Sequence, residues 1–129
     1  MRDRPLIAIV DDDASICRAL NRLVRSARMD AETFTSAGDF LDTGESHQPD
    51  CLVLDLQMPV MTGLELSTHL VARKSRIPVI FITAYDTPTA REAASASGVV
   101  AYLTKPIDDQ VLLDAIGQAL KRPGARRFI

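Results

Sequence analysis

Apolar residues in this chain come in two alternating rhythms. Short uninterrupted runs, Ile7-Ala8-Ile9-Val10, Cys51-Leu52-Val53-Leu54, Val79-Ile80-Phe81-Ile82 and Val99-Val100-Ala101-Tyr102-Leu103, have strand length and no polar interruptions. Between them apolar positions recur with helical spacing. Ile16, Ala19, Leu20, Leu23, Val24 and Ala27 fall at i, i+3, i+4, i+7, i+8 and i+11, which predicts an amphipathic helix of about 14 residues. A shorter, more alternating segment, Ala31-Glu32-Thr33-Phe34, predicts a second strand suited to an edge. Ser36 can cap the next helix, with Ala37, Phe40 and Leu41 on one face. Pro49-Asp50 introduces the third strand, Gly63 opens a helix with Leu66, Leu70 and Val71 inward, and Pro78 precedes the fourth strand. Thr87 or Thr89 begins a helix whose apolar face is only Ala90, Ala93, Ala94 and Ala96. Asp108 or Asp109 caps a last helix carrying Leu112, Ala115, Ile116, Ala119 and Leu120, which Pro123-Gly124 stops.

The alternation is (βα)₅. Runs apolar throughout fit parallel strands covered on both faces. The length, 129 residues, suits one domain with a core of its own. Composition adds mainly exclusions. With 47% hydrophobic residues, 25% charged and a net charge of -2, the chain has no basic footprint for nucleic acid. No apolar run is long enough to span a membrane, and Met1-Arg2-Asp3-Arg4-Pro5 leads into no signal-peptide core. Cys17 and Cys51 are too few for a disulfide framework and read as reduced thiols, Cys51 in the core. A cytoplasmic location is expected. Lys121 to Arg127 holds four basic residues with Pro and Gly, so 123–129 reads as a frayed tail or the start of a linker after a domain spanning 1–122.

Chemistry collects at the strand ends. The first strand runs into Asp11-Asp12-Asp13, the third into Asp55, the fourth into Thr83 and the fifth into Thr104-Lys105-Pro106. Sites in open parallel sheets form beyond the carboxyl ends of the strands. Parallel neighbours would therefore bring acids, a hydroxyl and an ammonium into one pocket. Such a pocket suits a divalent cation and a carboxylate placed to attack phosphorus.

These features together resemble the receiver domain of two-component response regulators. The resemblance rests on the acidic cluster, Asp55-Leu56-Gln57-Met58-Pro59 with Gly63 beyond it, Thr83-Ala84, and Lys105-Pro106, in order along nearly the whole chain. The segments around Asp55 and Lys105 look most like the branch that often carries a helix-turn-helix DNA-binding domain. The resemblance implies a flavodoxin-like sheet in order 2-1-3-4-5. It implies a phosphorylation switch rather than an enzyme, phosphorylated on Asp55 by a sensor histidine kinase or a small phosphodonor and losing the group by itself. It also implies Mg²⁺ held directly by Asp12 and Asp55, by Asp11 through water, and by the backbone carbonyl of Gln57. Lys105, followed by a cis proline bond, and Thr83 would reach the phosphoryl oxygens, with Lys105 paired to Asp55 beforehand. Ala84 would keep the approach open, and Gln57 and Tyr85 would overhang the group. Inward movement of Thr83 would let Tyr102 turn in and alter the surface of helix 4 and strand 5. Relatives with DNA-binding outputs self-associate through that surface, where Arg91 and Glu92 are candidate contacts.

Asp13 is better placed to cap the first helix than to bind metal. His47 and His69 have no metal-ligand spacing and read as solvated, and Met58 and Met61 as packing. Four alternatives remain. A flavin binder would need a Gly/Ser/Thr-rich loop where three aspartates stand. An aspartyl-phosphate hydrolase generally has a second Asp where Gln57 stands. A degenerate receiver would not keep Asp55, Thr83 and Lys105 together. A stand-alone receiver would act by protein–protein contact without a transcriptional output.

Overall fold

The computed structural model describes residues 3–121. The expected tail and the Pro123-Gly124 stop lie outside them. Five parallel strands form one sheet in the order β2-β1-β3-β4-β5: β1 (Leu6–Val10), β2 (Asp30–Phe34), β3 (Cys51–Asp55), β4 (Val79–Thr83) and β5 (Ala101–Thr104). Every residue of β1 and β3 is buried, and β4 is buried from Ile80 onward. The apolar runs at 7–10, 51–54 and 79–82 lie at the centre of the sheet, with the mixed strand β2 at one edge and β5 at the other.

Strand alternation divides each run between two cores. On one face Ile7, Ile9, Val53, Ile80 and Ile82 pack with α1 (Ala14–Ser26) and α5 (Asp109–Lys121). On the other, Val10, Leu52, Leu54 and Phe81 pack with Phe40, Leu66, Leu70 and Ala94. The last three come from α3 (Gly63–Ala72) and α4 (Pro88–Ala96). Burial of each large side chain in these layers is worth about 1.5–3 kcal/mol.

The helix starts follow the polar residues before them. The Asp13 carboxylate accepts from the amides of Ser15 and Ile16, Thr62 and Glu65 form a capping box, Thr87 accepts from Ala90, and Asp108 accepts from Val111. The choice between Thr87 and Thr89 thus falls to Thr87.

Three local expectations need correction. The second helix is one short turn, α2 (Ala37–Asp39), followed by a π-helical segment (Phe40–Gly44) and a 3₁₀ turn (Glu45–His47). Its irregularity accommodates Phe40, fully buried and edge-on to Phe34, while a Cβ on Gly44 would lie 2.4 Å from the Phe34 ring. Val71 is 64% exposed, because the buried stripe of α3 is Gly63, Leu66, Ser67 and Leu70. In α1 the buried stripe is Cys17, Leu20 and Val24, with Ala19 and Ala27 exposed. The Cys17 thiol is buried and donates to the Asp11 carbonyl at 3.2 Å. His47 is exposed, as expected, and pairs with the Glu32 carboxylate at 2.9 Å.

Candidate functional site

Parallel register carries the chemistry to one end of the sheet. Val10 pairs with Leu54, Asp55 with Ile82, and Thr83 with Thr104, so Asp11, Asp55, Thr83 and Lys105 leave neighbouring strands at the same edge. Asp11, Asp55 and Thr83 are buried, and Asp12 is exposed. One carboxylate oxygen each from Asp11, Asp12 and Asp55 lies within 4.8 Å of the others. Asp13 points away into its capping role, with Ser15 hydrogen bonds holding its carboxyl below the usual range.

The electrostatics of the cluster are uneven. Burial, and then the neighbouring Asp11 charge, push the Asp55 carboxyl up to about 6 against the opposing pull of Lys105. Burial alone works to lower the Lys105 ammonium, but Asp11 and then Asp55 outweigh it and hold it above the ordinary lysine value. Lys105 Nζ stands 2.8 Å from Asp11 Oδ2 and 3.5 Å from Asp55 Oδ1. The expected Lys105–Asp55 pair is therefore the longer of two contacts. Both carboxylates are buried, so the Lys105 ammonium compensates charge that solvent does not reach. The Lys105–Pro106 bond is cis.

The donor set fits a hard divalent cation. Three convergent carboxylates offer oxygen ligands, and Asp11 Oδ2 has no well-aligned hydrogen bond beyond its ion pair with Lys105. The pocket can bind a metal.

The loop after β3 is shaped around Asp55. A Cβ on Gly63 would lie 2.3 Å from the Asp55 carbonyl oxygen, so only glycine lets α3 start this close to the strand end. Val60, fully exposed on the same loop, has φ 69°, a left-handed conformation rarely taken by a β-branched residue. Nothing in the sequence pattern pointed to it.

The Gln57 side chain and the Tyr85 backbone both reach the Thr83 hydroxyl. The Thr83 hydroxyl donates to Gln57 Oε1 at 2.5 Å and accepts from the Tyr85 amide at 3.0 Å, while the Gln57 amide donates to Asp55 Oδ1 at 3.3 Å. A buried hydroxyl needs an acceptor, and the Gln57 side chain turns to Thr83 to provide it. The Tyr85 side chain is 68% exposed.

Tyr102 lies on β5, half-buried, with the Arg91 guanidinium 4.8 Å from its ring centroid. Its hydroxyl is buried near the Asp86 carboxylate without a well-aligned hydrogen bond, and burial, then Asp86, raise its pKa. Arg91 also pairs with Asp86, Nη2 to Oδ2 at 2.6 Å. Arg91, the expected contact residue, is exposed on α4 with its guanidinium engaged by Asp86 and the Tyr102 ring. Glu92 is exposed on the same helix. Among the described residues no helix is long and apolar enough to cross a membrane.

Known proteins agree with this geometry. The response regulator receiver domain family matches residues 7–117. The response regulator protein TodT of Pseudomonas putida is 42% identical over 123 residues, 94% of this chain and 54% of its own length. The transcriptional regulatory protein TdiR of Thauera aromatica is 40% identical over 114 residues, 88% of this chain and 50% of its own length. A response regulator receiver protein from Burkholderia phymatum superposes with TM-score 0.82 at 42% identity, over 93% of this chain and 98% of its own. The chain spans about half the length of the curated relatives it matches. A five-stranded 2-1-3-4-5 sheet, an acidic strand-end cluster and a family match across most of the sequence lead to one assignment: the chain belongs to the response regulator receiver domain family.

Proposed function

We propose that this domain is a cytosolic phosphorylation switch in which Asp55 accepts a phosphoryl group from a sensor histidine kinase with Mg²⁺ bound beside it. The observation that carries this is the convergence of Asp11, Asp12 and Asp55 on one point with Lys105 closing the pocket. Asp12 and Asp55 would hold the ion directly, Asp11 through water, and the Gln57 carbonyl would complete the protein's share. Bound Mg²⁺ supplies charge neutralisation for in-line transfer to a carboxylate.

The chain's own residues do the rest. The Asp55 carboxylate would attack phosphorus as the P–N bond to the kinase's phosphohistidine breaks, leaving the imidazole on the kinase and an acyl phosphate on Asp55. Lys105, loosely shared between two acids, turns its ammonium to the new phosphoryl oxygens, and the Thr83 hydroxyl donates to another. Phosphorylation adds charge of about −1.5 to −2. Movement of Thr83 toward it opens space for Tyr102, and the α4–β5 surface shifts between two arrangements. That surface is the proposed route to self-association and to a transcriptional output; the relative TdiR is a transcriptional regulatory protein. The acyl phosphate is expected to hydrolyse within the same pocket.

Incubation with acetyl phosphate tests the reading. Intact mass should show one added phosphoryl group with Mg²⁺ and none with a chelator or in Asp12→Ala. Labelling that ignores both the chelator and Asp12→Ala would overturn the metal assignment, and no labelling of the wild type would overturn the switch.

A further inference from the structure

Gln57 touches both working parts of the site from one residue. Its backbone amide donates to Asp55 Oδ1, and its side-chain oxygen accepts the Thr83 proton at 2.5 Å. Thr83 is fully buried, so water does not compete for that proton. The hydroxyl has one hydrogen, and its oxygen already accepts from the Tyr85 amide. Thr83 therefore has no proton left to offer a phosphoryl oxygen while Gln57 holds it. A β-branched side chain has few χ1 positions, so release means a discrete change rather than a small drift.

We propose that Gln57 is a positioning residue for the switch, a latch whose side-chain carbonyl holds Thr83 in the resting position until a phosphoryl oxygen takes over the proton. This rests on the reading of Asp55 as phosphoacceptor. The exchange replaces a neutral acceptor by an anionic one, and charge-assisted hydrogen bonds are roughly twice as strong as neutral ones. The phosphoryl group wins the competition, but by less than it would with no competitor. Because the Gln57 peptide unit also binds Asp55 Oδ1, a change at the nucleophile loosens the residue that holds Thr83. The latch thus sets how readily a modified Asp55 is converted into a moved Thr83. It predicts that an apolar residue at 57 lowers the threshold for switching.

Beryllofluoride with Mg²⁺, a phosphoryl mimic, tests this on the full chain. Thr83 methyl and Tyr102 ring resonances report the conformation, and ¹⁹F signals report occupancy. Gln57→Met keeps the length and the backbone groups but removes the acceptor. The Thr83 resonances of the resting protein should shift in Gln57→Met before any mimic is added. The beryllofluoride concentration at half-conversion should fall about threefold to tenfold, the range set by one net hydrogen bond. In a Thr83→Val background Gln57→Met should have no effect, and in Thr83→Ser the effect should return. An equal effect of Gln57→Met with and without the Thr83 hydroxyl, or no effect where the wild type binds the mimic, would overturn the latch alone. A wild type that binds no beryllofluoride would overturn the phosphoacceptor reading and the latch with it.

Discussion

The two ends of this switch are built on opposite terms. At the strand ends, Asp11, Asp55 and Thr83 are buried, each held by hydrogen bonds or ion pairs from neighbouring strands and loops. On the α4–β5 side, α4 buries only Ala94, and no residue of β5 is fully buried. What holds that side includes Arg91, which bridges the Tyr102 ring and Asp86 from the protein's exterior. A receiver that must register one added group needs a rigid place for it to land and a weakly held surface that can move. Small side chains on α4 provide the second, because little apolar area is lost when that helix shifts.

Gly63→Ala attacks the rigid end most directly. The added Cβ meets backbone 2.3 Å away, which no side-chain motion relieves. Stability should fall by about 3 kcal/mol in urea titrations, the upper range for overpacking. A loss no larger than that of an alanine change on α4 would break the comparison.

Asp55→Asn should act in the opposite direction on the metal-free protein. The native carboxyl titrates at about 6 against an ordinary 3.8, so the folded state binds this proton more tightly than the unfolded chain. Wild-type stability is therefore lost as pH rises through that window. Asparagine does not titrate. With chelator at pH 7.5 the variant should be more stable by about 1–3 kcal/mol, and the gap should close as pH falls toward 4. Thermal melts across that range check both size and sign.

Smaller effects sharpen the contrast. Val60→Gly should add about 1 kcal/mol, since glycine has no penalty at the left-handed φ that valine adopts beside the site. Tyr102→Phe, on the α4–β5 side, should change stability by less than about 1 kcal/mol, in the stabilising direction, because it removes a buried hydroxyl with no well-aligned hydrogen bond. Denaturant titration of both places the two regions on one scale.

Residues of high information content made the centre of the fold legible in the sequence. The runs at 7–10, 51–54 and 79–82 admit no polar face, and their carboxyl ends name Asp11, Asp55 and Thr83 without further help. Backbone demands were legible too, in Gly63 and in the caps Asp13, Thr62 and Thr87, of which the sequence had singled out all but Thr62. What escaped were choices made between alternative partners in space. Lys105 could reach either of two acids and sits nearer Asp11; within the pocket the Gln57 side chain takes Thr83; Arg91, exposed on α4, also covers the Tyr102 ring. Periodicity carries no record of such choices. It also missed Cys17, a small apolar side chain in α1 that hydrogen-bonds the Asp11 carbonyl. The π-helical segment at Phe40–Gly44 was equally hidden, because aromatic packing rather than local propensity bends it.

The most direct measurement is the position of the phosphoryl group. Wild type and Asp55→Asn would be treated with acetyl phosphate and Mg²⁺, followed by intact mass and peptide mapping under conditions that preserve acyl phosphates. The account predicts one phosphoryl group on the wild type, confined to the peptide containing Asp55, and none on Asp55→Asn. Equal labelling of the variant, or a phosphoryl group mapped to Asp11 or Asp12, would contradict it.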